Sequence, residues 1–407
     1  MKYLDYVDLK YEPRKDDVVC LFRVEPEEGI EIKEAVGAVA AESSIGTWTE
    51  TTTTKPYVER LAARVFEING NFIKIAYPLE LFEPGNLPNI LSSIAGNIFG
   101  MKHLKNLRLL DVVFPEKILK SFKGPKYGIV GIRKIFKVKD RPLVGTIIKP
   151  KVGLKSKDHA KVAYEAWVGG CDIVKDDENL SNQKFNKFEE RLEKTFKMKE
   201  KAEKETGEKK AYMINITAET EEMLRRAKLV EKIGNEYVMV DIITVGWASL
   251  QTLRKKEFDL VLHAHRAGHA AMTKNPKHGI SMKVLAKLVR MIGLDQLHVG
   301  TVVGKMFEGK EEVLENCKVL KEKMGKFKQV MPVASGGLSP FHVPKIIEIF
   351  GKDVVIQAGG GIHGHKLGTR SGAIAMRQAI EAVEKGIPLE EYAATHKELK
   401  IALEELK

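Results

Sequence analysis

The chain has 407 residues, 43% of them hydrophobic and 30% charged, and its 67 Lys and Arg against 55 Asp and Glu leave a formal net charge of +12. That apolar content supports one large core, or a large core and a smaller one, while the lack of any run of eighteen apolar residues argues against a membrane-spanning helix. The positive balance suits nucleic acid or a small polyanionic substrate, and three scattered cysteines, Cys20, Cys171 and Cys317, match neither a disulfide framework nor a metal pattern.

In chain order, the opening MKYLDYVDLKYEPRKDD is charged from the start and carries no apolar leader; with the unpaired cysteines it makes a reducing cytoplasm the expected setting. From about Asp17 to Pro115 the pattern is βαββαβ. DVVCLFRVE alternates as a strand and EIKEAVGAVAAES carries helical spacing. The four threonines Thr51 to Thr54 read as an exposed loop. RVFEI and FIKIAY flank Asn69-Gly70, a tight hairpin signal. NILSSIAGNIFG is expected as a second helix and LRLLDVVF as the last strand, the order of a ferredoxin-like α+β unit.

SFKGPKYGIVGIRKIFKVKDRP reads as a linker, which divides the chain into residues 1–120 and 121–407. Beyond it, eight short apolar runs alternate with helix-length amphipathic stretches: LVGTII, CDIVK, AYMIN, YVMVDI, DLVLHA, QLHVG, VMPVAS and DVVIQA. That rhythm, over a span of about 250 residues, predicts a (β/α)₈ TIM barrel. The stretch from Lys187 to Lys210 mixes Lys with Glu and is expected as a solvated helix laced by i,i+4 ion pairs.

Almost every predicted barrel strand ends in residues that are costly to bury without a task. Lys149-Pro150-Lys151 closes the first, Lys175 to Glu178 the second, Asn215 the third and Asp241 the fourth. The fifth supplies His263, His265 and Arg266, the sixth His298, the seventh Ser335-Gly336-Gly337, and the eighth runs into Gly359 and Gly360. In such barrels the C-terminal strand ends form the active-site face. Asp177 and Glu178 are hard oxygen ligands suited to Mg²⁺. Burial of Lys175 would make its amine neutral and nucleophilic, able to add CO₂ as a carbamate, which the residues permit without demanding. The glycine turns after the seventh and eighth strands offer backbone N–H groups to a phosphate. Arg266 and His298 suit a second phosphate, so a small bisphosphate is expected. Lys305 lies in a glycine-flanked stretch with the composition of a lid, or of a plain surface loop. Five of the eleven histidines fall between His263 and His298. His263 and His269 read as structural, and His265 as the acid/base candidate.

GTIIKPKVGL, GGCDIVKDDENL, HAHRAGHA, HVGTVVGKM, VASGGL and QAGGGIHGH resemble, in order, the active-site motifs of the RuBisCO large-chain family; ESSIGTW and AGNIFG resemble its N-terminal contributions. The resemblance covers essentially the whole chain, and the motif wording is most similar to the archaeal form III branch. It implies a Mg²⁺-dependent carboxy-lyase that adds CO₂ and water to ribulose-1,5-bisphosphate, with an oxygenase side reaction on O₂. It implies that Lys175 carries an activating carbamate and binds the metal with Asp177 and Glu178, that the metal stabilises an enediolate, and that Lys149 protonates the final carbanion. Lys151 would support the site, His265 would assist enolisation and hydration, and Lys305 would orient CO₂. Arg266 and His298 would hold one phosphate and Ser335 a sugar hydroxyl. Gly336, Gly337, Gln357, Gly359 and Gly360, with Thr47 and Trp48, would serve the other end of the substrate. Glu42, Thr47, Trp48 and Asn97 would complete a partner subunit's site, so a homodimer or an assembly of dimers is implied. No small subunit, nucleic acid or membrane partner is expected, and the form III resemblance implies salvage of AMP-derived ribose.

Two positions depart from the family wording. Gly268 replaces a bulkier residue in HRAGHA, and Lys366-Leu367 stands where a Pro-containing turn is usual; neither carries a catalytic role. The rival within the same fold is a RuBisCO-like enolase or isomerase using the same carbamate and Mg²⁺. The complete set of lysines and phosphate glycines weighs against it. A basic nucleic-acid-binding protein is the rival from another class, and no basic-aromatic motif supports it.

Overall fold

The computed structural model describes residues 1–304 and 308–405, so Lys305 lies outside the described residues. The chain forms two compact units, one of residues 1–123, 268–291 and 324–326, the other of residues 124–267, 292–323 and 327–407. Among the described residues no helix is long and apolar enough to cross a membrane.

In the first unit β1 (Val18–Pro26) lies between β3 (Phe72–Tyr77) and β4 (Leu104–Val113), antiparallel to both, with β2 (Arg64–Asn69) outside β3. β1 alternates as its sequence requires: Val18, Cys20, Phe22 and Val24 are buried and the residues between them are not. Asn69 faces Phe72 across the two-residue turn, where Gly70 takes the positive φ, +57°, that the hairpin demands. Thr51 to Thr54 are exposed, as expected. The second helix is shorter than its sequence suggested, running Leu87–Ile94 under an Asn86 cap and breaking before a separate 3₁₀ turn at Asn97–Gly100. Gly96 marks the break, because a Cβ there would lie 2.0 Å from the Ser92 carbonyl oxygen. A two-residue strand, β10 (Gly279–Ile280), pairs parallel with β4 and was not anticipated.

The second unit is a closed barrel of eight parallel strands. They are β5 (Leu143–Ile147), β6 (Ile173–Lys175), β7 (Ala211–Asn215), β8 (Tyr237–Asp241), β9 (Val261–His265), β11 (Gln296–His298), β12 (Met331–Ser335) and β13 (Val355–Gln357). All eight coincide with the predicted apolar runs. The Lys/Glu-rich stretch is the helix Phe188–Thr206, with i,i+4 pairs between Lys194 and Glu190 and between Lys197 and Glu193.

The expected linker is the one correction in this unit. It contains a helix, Gly128–Phe136, whose Ile129, Ile132 and Phe136 pack against the first residues of seven strands: Leu143, Ile173, Ala211, Tyr237, Val261, Met331 and Val355. The helix seals the N-terminal end of the barrel. Its apolar stripe is short and diluted by Gly, Lys and Arg, which is why it reads as a connection. A buried carboxylate, Asp295, holds its start by accepting the N–H groups of Tyr127 at 2.7 Å and Gly128 at 2.9 Å.

Candidate active site

The other end of the barrel is built from charge. Lys175, the last residue of β6, is fully buried, and its Nζ donates to the Asp176 carbonyl at 2.6 Å and lies 3.8 Å from Glu178 Oε2. Burial pushes its ammonium below the ordinary lysine range, against the pull of Glu178, Asp177 and Asp176. Lys149, just past β5, donates to Asp177 Oδ2 at 2.9 Å. Burial alone would raise the Asp177 carboxyl; hydrogen bonds from Lys149 and Asn179 outweigh it and hold the carboxyl below its usual range. Glu178 is partly exposed, with His265 Nε2 3.6 Å from its Oε2. Lys149, Lys175, Asp177, Glu178 and His265 thus converge as the strand-end reading predicted. Lys151 is exposed.

The intervening Asp176 points the other way and anchors the segment. It accepts from Arg191 Nε at 3.0 Å, Tyr212 Oη at 2.8 Å and the Asn215 N–H at 3.0 Å, and His159 Nε2 lies 3.0 Å away. Arg191 is itself fully buried and reaches the Asn186 and Ser181 carbonyls. These four groups come from three elements, β7 and the helices Ser156–Val168 and Phe188–Thr206, so the backbone carrying Lys175 and Asp177 is tied from several directions. Sequence reading passed over this layer, since Arg191 sits inside a helix that reads as solvated.

Asp241, at the end of β8, is also buried, with Oδ1 lacking a hydrogen-bond partner among the described residues. Burial pushes its carboxyl up to about 6. Its position at a strand end was visible in the sequence, but its environment was not.

A chain of buried hydrogen bonds forms the wall beyond His265. Gln296 Oε1 lies 2.8 Å from His263 Nδ1, His263 Nε2 lies 2.8 Å from His298 Nε2, and His298 Nδ1 lies 2.6 Å from Ser335 Oγ. Burial drives His263 down to about 3 and His298 well below the normal histidine range, so both rings are neutral. His263 is structural, as expected. His298 has both ring nitrogens committed, to Ser335 and to His263. Arg266, its expected partner, donates Nη2 to Glu308 Oε1 at 2.5 Å.

The glycine turns lie where predicted. Gly336 and Gly337 follow β12 with φ of +122° and +74°, conformations that side chains resist. Gly359 follows β13, and a Cβ there would stand 3.0 Å from Lys149 Cε, so the absent side chain makes room for that lysine. Gln357 is buried with neither amide atom partnered among the described residues, and Gly360 is exposed. Beside them Thr146 Oγ1 donates to the Ala358 carbonyl at 2.7 Å and meets His363 Nε2 at 3.0 Å. Burial lowers His363 to about 4, with the Lys149 charge acting in the same direction. His363 was quoted in a motif but given no role.

Four further candidates belong to the first unit. Asn97 Nδ2 donates to Glu42 Oε1 at 3.4 Å, which brings those two together. Thr47 is half-buried, and Trp48 is 82% exposed, an unusual position for a large aromatic.

The family model for the ribulose bisphosphate carboxylase large chain, catalytic domain, matches residues 128–406, and that for its N-terminal domain matches residues 5–118. The chain is 52% identical to the ribulose bisphosphate carboxylase of Methanosarcina mazei, over 98% of both chains. It is also 52% identical to that of Methanocaldococcus jannaschii, over 98% of this chain and 99% of the relative. Among solved structures it is similar to the octameric ribulose-1,5-bisphosphate carboxylase/oxygenase of Pyrococcus horikoshii, with TM-score 0.96 and 49% identity over 100% of this chain and 97% of the other. The dimeric archaeal Rubisco of Hyperthermus butylicus gives TM-score 0.92 and 47% identity over 99% of both chains.

Proposed function

The chain belongs to the ribulose bisphosphate carboxylase large-chain family, and from that premise we propose that it adds CO₂ and water to ribulose-1,5-bisphosphate to give two molecules of 3-phosphoglycerate. The observation that carries this reading is Lys175: a fully buried amine with a depressed pKa, held among carboxylates at a barrel strand end. A buried ammonium is costly. Burial therefore favours the neutral amine, the form that adds CO₂ to give a carbamate anion and release a proton.

The donor set fits Mg²⁺ on the same ground. Asp177 and Glu178 supply hard oxygens beside Lys175, and the described residues hold no ready group of three or more His, Cys, Asp and Glu. In this reading the carbamate of Lys175 is the third anionic ligand. When bound, Mg²⁺ supplies Lewis-acid polarisation of the sugar oxygens. The remaining work falls to the chain. Lys149 Nζ, hydrogen-bonded to Asp177, is placed to deliver a proton to the product carbanion. His265, at the edge of Glu178, is placed to move a proton during enolisation and hydration. Ser335 presents a hydroxyl to the sugar, and the unpartnered amide of Gln357 together with the Gly336–Gly337 and Gly359–Gly360 turns offers donors at the opposite end.

The same reading assigns Glu42, Thr47, Trp48 and Asn97 to a neighbouring subunit's site, so a homodimer is the minimum unit and no small subunit is needed. The exposure of Trp48 supports that assignment. An oxygenase side reaction belongs to the proposal through the carboxylase/oxygenase of Pyrococcus horikoshii, and salvage of AMP-derived ribose and a cytoplasmic setting belong to it as expectations from the sequence and its motif resemblance. Incubation with ¹⁴CO₂, Mg²⁺ and ribulose-1,5-bisphosphate should yield labelled 3-phosphoglycerate. An enolised or isomerised sugar without label would identify a RuBisCO-like enolase or isomerase instead.

A further inference from the structure

The two side chains expected to hold one phosphate are both occupied by other parts of the same chain. Arg266 is 5% exposed and donates through Nη2 to Glu308 Oε1 at 2.5 Å, while its Nη1 has no hydrogen-bond partner among the described residues. Glu308 is equally buried. Its seat is shaped for it: Gly300 has φ +91°, and a Cβ there would stand 3.2 Å from Val313 and 3.4 Å from the Glu308 carboxylate. His298 is meanwhile held between His263 and Ser335.

We propose that Glu308 is a built-in competitor for the phosphate group that Arg266 receives, its carboxylate filling the anion position until a phosphate displaces it. This rests on the reading that Arg266 binds a phosphate of the substrate. One buried guanidinium cannot balance a carboxylate and a phosphate dianion together, because the surplus negative charge would sit in a medium that screens it poorly. The contact with Glu308 uses one guanidinium nitrogen. A phosphate can accept from both Nη groups at once, the geometry that favours the exchange. A monoanion that offers no second contact gains little by displacing Glu308, so the arrangement discriminates for phosphate over weaker anions. Affinity falls by the fraction of molecules in which Arg266 is available.

The test is calorimetric titration of the full-length protein with inorganic phosphate at fixed ionic strength. E308Q keeps an oxygen for Arg266 and removes the charge; E308D keeps the charge and shortens the reach. Both should bind phosphate roughly tenfold more tightly than the unaltered chain, the gain expected when a partner occupied about nine-tenths of the time is released, and R266A should abolish that gain. Equal or weaker binding in both Glu308 variants, with R266A still weakening the unaltered chain, would overturn the competitor and leave Arg266 as a phosphate residue. No effect of R266A on phosphate binding would remove Arg266 from the phosphate site and the competitor with it.

Discussion

The two ends of one barrel are built on opposite terms. At the base, the first residues of seven strands close on Ile129, Ile132 and Phe136 with no charge among them. Toward the mouth, the barrel strands and the residues just past them bury Lys175, Asp176, Asp177, Asp241, His263 and His298. A strand of five residues therefore carries a stabilising end and a reactive end, and β6 does so in three, from Ile173 to Lys175. Buried charge without full pairing costs stability, and an apolar base is where that cost is offset. The difference teaches that the barrel's stability and its chemistry occupy separate layers, and it makes mutational signatures at the two ends diverge.

The largest expected effect is at the mouth. K175A should lower carboxylation by on the order of 10³-fold or more, the scale seen when one member of a cooperating group is removed. Its thermal midpoint should be equal to or above that of the unaltered chain, since a buried amine has been deleted. A fall in the midpoint comparable to a core mutant's would break the comparison. Next, F136A at the base should lose about 3–5 kcal/mol in denaturant unfolding, because Phe136 is buried against the Tyr237 ring. Its turnover per folded molecule should hold; a matching loss of turnover would show that the two layers are coupled.

A smaller effect is expected from pH. His263 and His363 titrate at about 3 and about 4 in the fold, against about 6.5 in an unfolded chain. Between those values the unfolded chain binds more protons, so stability is full above about pH 6.5 and is lost as pH falls. The thermal midpoint should drop by roughly 5 °C between pH 7 and pH 5, and H363Q should flatten part of that slope. A slope unchanged in H363Q would take the acid sensitivity away from this wall. The smallest effect runs in the opposite direction. Asp241 is raised to about 6, so its contribution is present at low pH and lost as pH rises through that value. D241N should gain roughly 2 °C at pH 8 and about half of that at pH 5; an equal change at both would mean that its charge is not the cause.

The eight strands and the residues at their ends were legible because each is a local pattern: an apolar run followed by a polar break. The ferredoxin-like sheet was legible for the same reason, through β1 alternation and Asn69-Gly70. What escaped was tertiary. The helix Gly128–Phe136 reads as a connection until the seven strand starts that bury it are known. Arg191 reads as one more charge on a solvated helix, although it lies buried against Asp176. The partners of Arg266 and His298 come from 42 and 37 residues further along the chain, and spacing of that kind leaves no mark in sequence. Composition pointed to Arg266 and His298 as anion ligands; it carried no sign that Glu308 already holds Arg266.

A barrel plugged by Gly128–Phe136 has a single doorway. Whatever reaches the strand-end charges approaches from the side where Lys175, Asp177 and His298 lie, because the strand starts are filled by Ile129, Ile132 and Phe136. A helix that touches none of the reacting groups thereby sets the direction from which they are reached.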